Sequence, residues 1–348
     1  MAALRVVLIG LGGIADAHLR KLRWIDDVEV AGVCDLSPAL ASAVAERFGV
    51  AHAGADAERM LADLEPDAVH VLTPPSAHRR LVELALGAGA HVFVEKPIAV
   101  SREDYAAMRA AAVAAGRLMV EDFNYRFQRV TLRALDLLDA GAVGRPVTVD
   151  AAMNVGLADP SGPYADTDIP HFAHRLPGGA LFNFASHPAS IVTAILGRHD
   201  SVRAWRRRLE PGALSDDELR ALAGAGDACA AITVTSHAQP PGFAVAVRGT
   251  QGALELDVFT GRLHVAAGAG RVGRLVDELR LGTGSLGHAF AGAARAATGR
   301  NDYVEGLGTL LERFYSAVRG EGPPPVTLEE MDAANALLFD LFEEDHRL

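Results

Sequence analysis

The chain has 348 residues, 50% of them hydrophobic and 22% charged, with 33 basic and 44 acidic side chains giving a formal charge of −11. That length exceeds one ordinary hydrophobic core and predicts two domains, while the acidic balance argues against a surface built for nucleic-acid phosphates. Two cysteines, Cys34 and Cys229, cannot frame a disulfide scaffold and suit a reducing compartment. Because the first residues run straight into a strand and no long apolar run stands out, the expectation is a cytoplasmic protein with no membrane partner.

Residues 1–122 alternate apolar strands, at 5–9, 28–34, 68–72, 91–94 and 117–121, with helical patterns near 15–24, 38–48, 55–63, 77–88 and 101–115. Such alternation predicts an α/β domain with a parallel sheet covered on both faces. Ser37-Pro38 marks one helix start, and Ser101-Arg102-Glu103-Asp104 has the form of a capping box. Beyond 122 the pattern changes to a helix over 130–138 and strand-like runs at 146–153, 201–208, 228–237, 243–249 and 252–258. Their spacing favours an antiparallel sheet. Ser215-Asp216-Asp217-Glu218 reads as the cap of a short helix between two strands. Residues 285–319 are helical in pattern, Gly322-Pro323-Pro324-Pro325 is a stiff linker, and Thr327 to Phe342 is a last helix. The expected domains are therefore 1–122, with the segment 327–348 packing back on it, and an α+β domain over 123–326.

The first strand leads into Gly10-Leu11-Gly12-Gly13-Ile14-Ala15, a G-x-G-x-x-A form of the dinucleotide fingerprint. Gly10 permits the tight turn, Gly12 lets the backbone approach a pyrophosphate, and Ala15 allows close helix–strand packing. The helix that follows offers N–H groups and a positive dipole end to phosphate. Asp35, ending the second strand, is placed to accept hydrogen bonds from the adenosine ribose, and its charge disfavours a 2′-phosphate. NAD(H) is thus favoured, with NADP(H) possible. The competing reading is a flavodoxin-like domain that binds no dinucleotide. Thr73, Pro74, Pro75 and His78 occupy the loop after the third strand, at the sheet edge where such folds hold ligands; that loop either touches cofactor or merely starts a helix. Glu95-Lys96-Pro97 ends another strand at the same edge.

Taken with Asn124-Tyr125-Arg126-Phe127 and the run Gly178 to Pro188, these motifs closely resemble the Gfo/Idh/MocA family of oxidoreductases over nearly the whole chain. The resemblance implies a Rossmann domain followed by an open-faced, mostly antiparallel sheet domain, through which members pair as homodimers or homotetramers. It implies sugars, cyclitols and related polyols as substrates. By position, Lys96 matches the family's catalytic lysine, able to hydrogen-bond the reacting hydroxyl. Glu95, Lys96 and Asn124 are expected near the cofactor. His187 matches the family's histidine, the natural general base. Asn183 stands where the family usually has aspartate, one helical turn earlier, and Ser190 stands where a second acid is usual. Asparagine can orient a substrate or the imidazole but cannot take a proton.

The polar segment before this run offers Tyr164, Asp166, Asp168, His171 and His174 as substrate contacts, and Arg126 is a further candidate. His171, His174 and His187 raise the alternative of zinc, but their spacing lacks a cysteine or an acid, and no metal is expected. Three functions follow. The first is hydride transfer between nicotinamide and a polyol carbon. The second is retained NAD used for transient oxidation in elimination or glycoside cleavage. The third is a non-catalytic dinucleotide sensor.

Overall fold

The structure, a computed structural model, describes residues 3–157, 164, 171–210, 214–267 and 305–344. It divides into two compact units, Met1–Phe123 with Leu307–Met331, and Asn124–Gly306 with Asp332–Leu348.

In the first unit β1 (Leu4–Ile9), α1 (Ala15–Leu22), β2 (Val28–Cys34), α2 (Pro38–Phe48), β3 (His52–Gly54) and α3 (Ala57–Leu64) follow in order. They lead to β4 (Ala68–Val71), α4 (His78–Gly87), β5 (His91–Val94), α5 (Arg102–Ala115) and β6 (Met119–Glu121). The strands form one six-stranded sheet in the order β3-β2-β1-β4-β5-β6, every neighbour pair parallel. Val6, Val7, Leu8, Val69, Val92 and Phe93 are buried, as strands covered on both faces require. Strand order reverses beside β1, so the carboxyl ends of β1 and β4 flank the crevice where ligands of such sheets sit. Local signals start the helices: Ser37 accepts from the Leu40 amide and Ser101 from the Asp104 amide. The sequence pattern contained no hint of β3, whose three residues carry no buried side chain. Residues 307–331 add to this unit part of α8 (Glu305–Val318), which brings in buried Leu310, Leu311, Phe314 and Tyr315.

The second unit contains α6 (Arg129–Asp139), β7 (Pro146–Asn154), α7 (Gly179–Leu196), β8 (Ser201–Arg207), β9 (Glu218–Ala225), β10 (Ala228–Thr235), β11 (Gly242–Gly249), β12 (Gly252–Asp257) and β13 (Arg262–Ala267). Its seven strands run in the order β13-β12-β11-β7-β10-β9-β8, antiparallel except for β7 beside β10. One face is apolar and buried through Val149, Ala151, Met153, Ile232, Phe243 and Val245; the other presents Asp150, Arg220, Leu222, Ala244 and Arg248. That alternation is the period-2 pattern of a half-covered sheet. Helix α7 has 18 residues and is apolar enough to cross a bilayer by length and composition, yet 78% of it is buried within the fold. It is the core helix of this unit.

Two expectations need correction. Residues 215–218 cap no helix: β9 begins at Glu218 and pairs with β8 and β10. Its Leu and Ala content suits either state, and burial of Leu219, Ala221 and Ala223 on one face decides for strand. The Asp217 carboxylate instead closes the preceding turn by accepting from the Leu209 and Glu210 amides at 2.7 and 3.1 Å. The end of α9 (Leu328–Asp340) was expected on the first domain, but residues from Asp332 onward group with the second unit. There Phe182 meets the Phe339 and Phe342 rings at 6.1 and 5.2 Å, and His199 lies 2.5 Å from Asp340. The chain turns back to the first unit earlier than the sequence suggested, at 307–331.

Candidate active site

Gly10 has φ +92°, a conformation natural to glycine. A Cβ there would come within 2.8 Å of the Leu72 carbonyl carbon and of the Thr73 amide nitrogen and methyl, so the glycine lets β1 and β4 end side by side. Gly12 and Gly13 differ, since a Cβ on either would meet nothing within 4 Å. Their smallness answers to no protein neighbour among the described residues and leaves an open cradle. Leu11 and Ile14 complete the loop, and no side chain caps the N-terminus of α1. Asp35 accepts from the Leu11 and Ser37 amides, each at 2.9 Å, which fixes its carboxylate beside the loop. Leu36, next to it, is 93% exposed. The Thr73 hydroxyl is buried without a hydrogen-bond partner among the described residues. An open glycine cradle, an uncapped helix start and an orphaned hydroxyl together fit a dinucleotide. Pro74 precedes and Pro75 opens a single 3-10 turn over Pro75–Ala77.

His78 departs from its expected role in cofactor contact. It is fully buried, with Nδ1 2.9 Å from the Ile98 carbonyl and Nε2 2.7 Å from that of Thr73. Both ring nitrogens lie against backbone carbonyls, and the neutral ring donates to one of them. Burial pulls its pKa down, against the opposing effect of the two carbonyls.

Lys96 follows β5, and Asp122 follows β6. Because these strands are parallel neighbours, with Val94 opposite Glu121, the two segments leave the sheet together. The Glu95 carboxylate accepts from the Lys96 amide at 3.1 Å, and Glu121 accepts from the Ile98 amide at 3.1 Å. Lys96 is half-buried as a residue. Burial of its amine lowers its pKa, and the charges of Glu95, Asp122 and Glu121 oppose that shift. A lysine held this way is poised to exchange a proton. Sequence reasoning missed its surroundings: Glu121, Asp122, His18 and His70. A histidine inside the apolar strand β4 and paired acids ending β6 were the available signals. Cys34 is buried, and burial together with Asp35 pushes its thiol up to about 11, in line with an inert small side chain.

In the second unit, Asn183 and His187 lie one turn apart on α7, both nearly buried. Tyr164 hydrogen-bonds Asn183, and burial raises its pKa. Tyr164 also packs on His171 at 4.7 Å and on Phe184 at 5.8 Å between ring centroids. His187 packs against Tyr125 at 4.3 Å, a neighbour not singled out from sequence. Ser186 and Ser190 hydroxyls donate to the Asn183 and His187 carbonyls at 3.1 and 2.8 Å, next to Pro188, which lacks an amide donor. His171 Nδ1 accepts from the Ala173 amide at 3.3 Å. His174 Nε2 and Asn124 Oδ1 are buried without partners among the described residues, as befits groups that await a ligand. Arg126 lies over Phe127 at 5.9 Å. Asp166 and Asp168 fall outside the described residues. Among the described residues His171, His174 and His187 form no metal-ligand group, and the trio with that spacing is His18, Glu95 and Asp122.

Residues 4–123 match the family described as "Oxidoreductase family, NAD-binding Rossmann fold", and residues 131–255 match the C-terminal domain of the same family. The chain belongs to the Gfo/Idh/MocA family of oxidoreductases. A dTDP-3,4-didehydro-2,6-dideoxy-alpha-D-glucose 3-reductase of Streptomyces violaceoruber is 29% identical over 73% of each chain. A D-glucoside 3-dehydrogenase of Escherichia coli is 35% identical over 142 residues, 40% of each chain. The fold matches that of the WlbA dehydrogenase from Bordetella pertussis, solved with NADH and UDP-GlcNAcA, with a TM-score of 0.78 at 21% identity over 97% of this chain and 94% of that one. This oxidoreductase therefore pairs the family's NAD-binding Rossmann domain with its mostly antiparallel sheet domain.

Proposed function

We propose that this family member transfers hydride between nicotinamide and a carbinol or carbonyl carbon of a sugar, cyclitol or related polyol. The observation that carries the reading is Lys96, at the carboxyl end of β5 in an NAD-binding domain, with its amine pKa lowered by burial. The relatives' names, a glucose-derivative reductase and a glucoside dehydrogenase, supply the substrate class. NAD when bound supplies the hydride acceptor, and NADH the donor in the reverse direction. Gly10, Leu11, Gly12, Gly13 and Ile14 with the start of α1 hold the pyrophosphate, and Asp35 holds the adenosine ribose. Asp35 disfavours a 2′-phosphate, although a relative named as an NADP(+) xylose dehydrogenase keeps NADP(H) open. Thr73 and Glu95 serve the nicotinamide end.

The Lys96 amine takes the hydroxyl proton as the carbinol is oxidised and returns it in reduction. His187 is the second proton-handling group. Asn183, engaged with Tyr164, orients substrate and cannot itself accept a proton. Tyr164, Arg126, His171 and His174 provide substrate contacts. The exposed face of the second unit's sheet is the pairing surface of a homodimer or homotetramer, and the protein works in the cytoplasm.

Lys96→Ala is expected to abolish polyol-dependent NADH formation while leaving NADH binding within about threefold of wild type. Undiminished turnover would refute the assignment of Lys96. A second reading, retained NAD used in elimination or glycoside cleavage, draws on the missing acid at Asn183. Cofactor that copurifies, with substrate conversion but no net NADH, would favour it.

A further inference from the structure

Five buried titratable side chains from five segments of the first unit cluster together, four of them in one continuous hydrogen-bonded chain. The Tyr315 hydroxyl of α8 lies 2.7 Å from His70 Nε2 in β4. His70 Nδ1 lies 2.9 Å from His18 Nδ1 in α1, and His18 Nε2 lies 3.2 Å from Glu95 Oε1. The Asp122 carboxylate lies beside this end of the chain, with one oxygen each of Asp122 and Glu95 and a ring nitrogen of His18 all within 4.8 Å of one another. None of the five is more than 8% exposed.

Two donors serve the Glu95 carboxylate. Glu95 accepts the Lys96 amide at Oε2, and a lone pair of His18 facing the other oxygen would be repelled, so His18 Nε2 carries hydrogen and donates. Two buried carboxyl groups this close repel when both are ionised and are held together when one proton lies between them. Both Glu95 oxygens already accept from other donors, which leaves the proton on Asp122, with Asp122 Oδ1 unpartnered among the described residues as the carbonyl oxygen of a neutral acid.

We propose that Glu95 and Asp122 share one proton and act as a single monoanion that positions the Lys96 side chain and matches its charge. The inference deepens the reading of Lys96 as the proton-transfer group and rests on it. Burial, and next the Glu95 charge, push Asp122 well above the ordinary carboxyl range. Burial also pushes Glu95 upward, but hydrogen bonding and attraction to His18 carry it below its ordinary value. His70 is pulled down by burial and then by His18, and Tyr315 is pushed up by burial. The other charged or titratable groups around the pair are Lys96, Glu121 and His78. A proton arriving on Lys96 thus creates positive charge beside a fixed single negative charge, with little rearrangement. Asp122 is a positioning residue in this scheme.

The test is infrared spectroscopy of the full chain without added cofactor, with thermal melts to establish that each variant is folded. Wild type at pH 7 is expected to show a protonated-carboxyl C=O band that shifts in D2O, and Asp122→Asn is expected to lose it. Glu95→Gln is expected to lose it too, because Asp122 then ionises as the partner of Lys96. A band absent from wild type, or one that survives either substitution, overturns proton sharing. In turnover, Asp122→Asn is expected to leave the rate limb governed by Lys96 in place, since it exchanges a neutral acid for a neutral amide and keeps the Glu95 charge, whereas Glu95→Gln is likewise charge-conserving only if Asp122 ionises; a limb moved to lower pH by about a full unit in Asp122→Asn overturns the single shared proton. The infrared result needs no catalysis, so it stands or falls separately from Lys96→Ala.

Discussion

Replacing the two glycines of the cofactor loop one at a time separates a folding role from a binding role. At Gly10 an alanine meets φ +92° and backbone atoms at 2.8 Å. The left-handed conformation costs about 1–2 kcal/mol, and overlap with an immovable backbone adds roughly 1–3 kcal/mol. Gly10→Ala should therefore lose about 2–5 kcal/mol of stability, and its NADH affinity should fall because the loop is displaced. At Gly12 the Cβ meets nothing within 4 Å and the backbone is outside the left-handed region. Gly12→Ala should thus keep its stability within about 1 kcal/mol, with a small gain expected from the stiffer unfolded chain. The methyl would occupy the cradle read as the pyrophosphate seat, and NADH affinity should drop at least tenfold, about 1.4 kcal/mol. Urea unfolding and nicotinamide fluorescence titration on the same preparations give both numbers. Wild-type NADH affinity in Gly12→Ala would refute the placement of the phosphates. A large stability loss there would refute the claim that the space is open.

Asn183→Asp puts a carboxylate one turn before His187 and should shift the acidic limb of the rate profile toward higher pH by up to about one unit; an unchanged profile would remove His187 from proton handling. Below pH 6.5 the protein should lose stability, because the pKa of His70 is lowered from 6.5 by burial and the unfolded chain binds protons that the folded one refuses. Thermal midpoints from pH 8 down to pH 5 should fall, and His70→Gln should flatten the slope. Phe342→Ala should cost about 3 kcal/mol in urea unfolding through the lost packing on Phe182; a loss under about 1 kcal/mol would contradict the placement of the chain's end in the second unit.

The alternation of apolar runs with capped helices over the first 122 residues was enough to specify a parallel α/β domain, because each signal there is local: Ser37 and Ser101 cap, Gly10 turns, and buried strands read as unbroken runs of valine and leucine. The Lys96 and Gly12 motifs were legible for the same reason, since a ligand site at a strand end is written in consecutive residues. What the sequence left open depends on contacts between distant segments. The stretch Glu218–Ala225 has helix-forming composition, and only pairing with β8 and β10 makes it a strand. The end of α9 was assigned to the wrong partner because its apolar face is visible in sequence but the Phe182 cluster that receives it is not. His18, His70, Glu95, Asp122 and Tyr315 lie as far as 245 residues apart in their hydrogen bonds, and no local pattern marks them as one network. Their protonation follows from burial and from which atoms meet, and those are properties that the folded sheet alone creates.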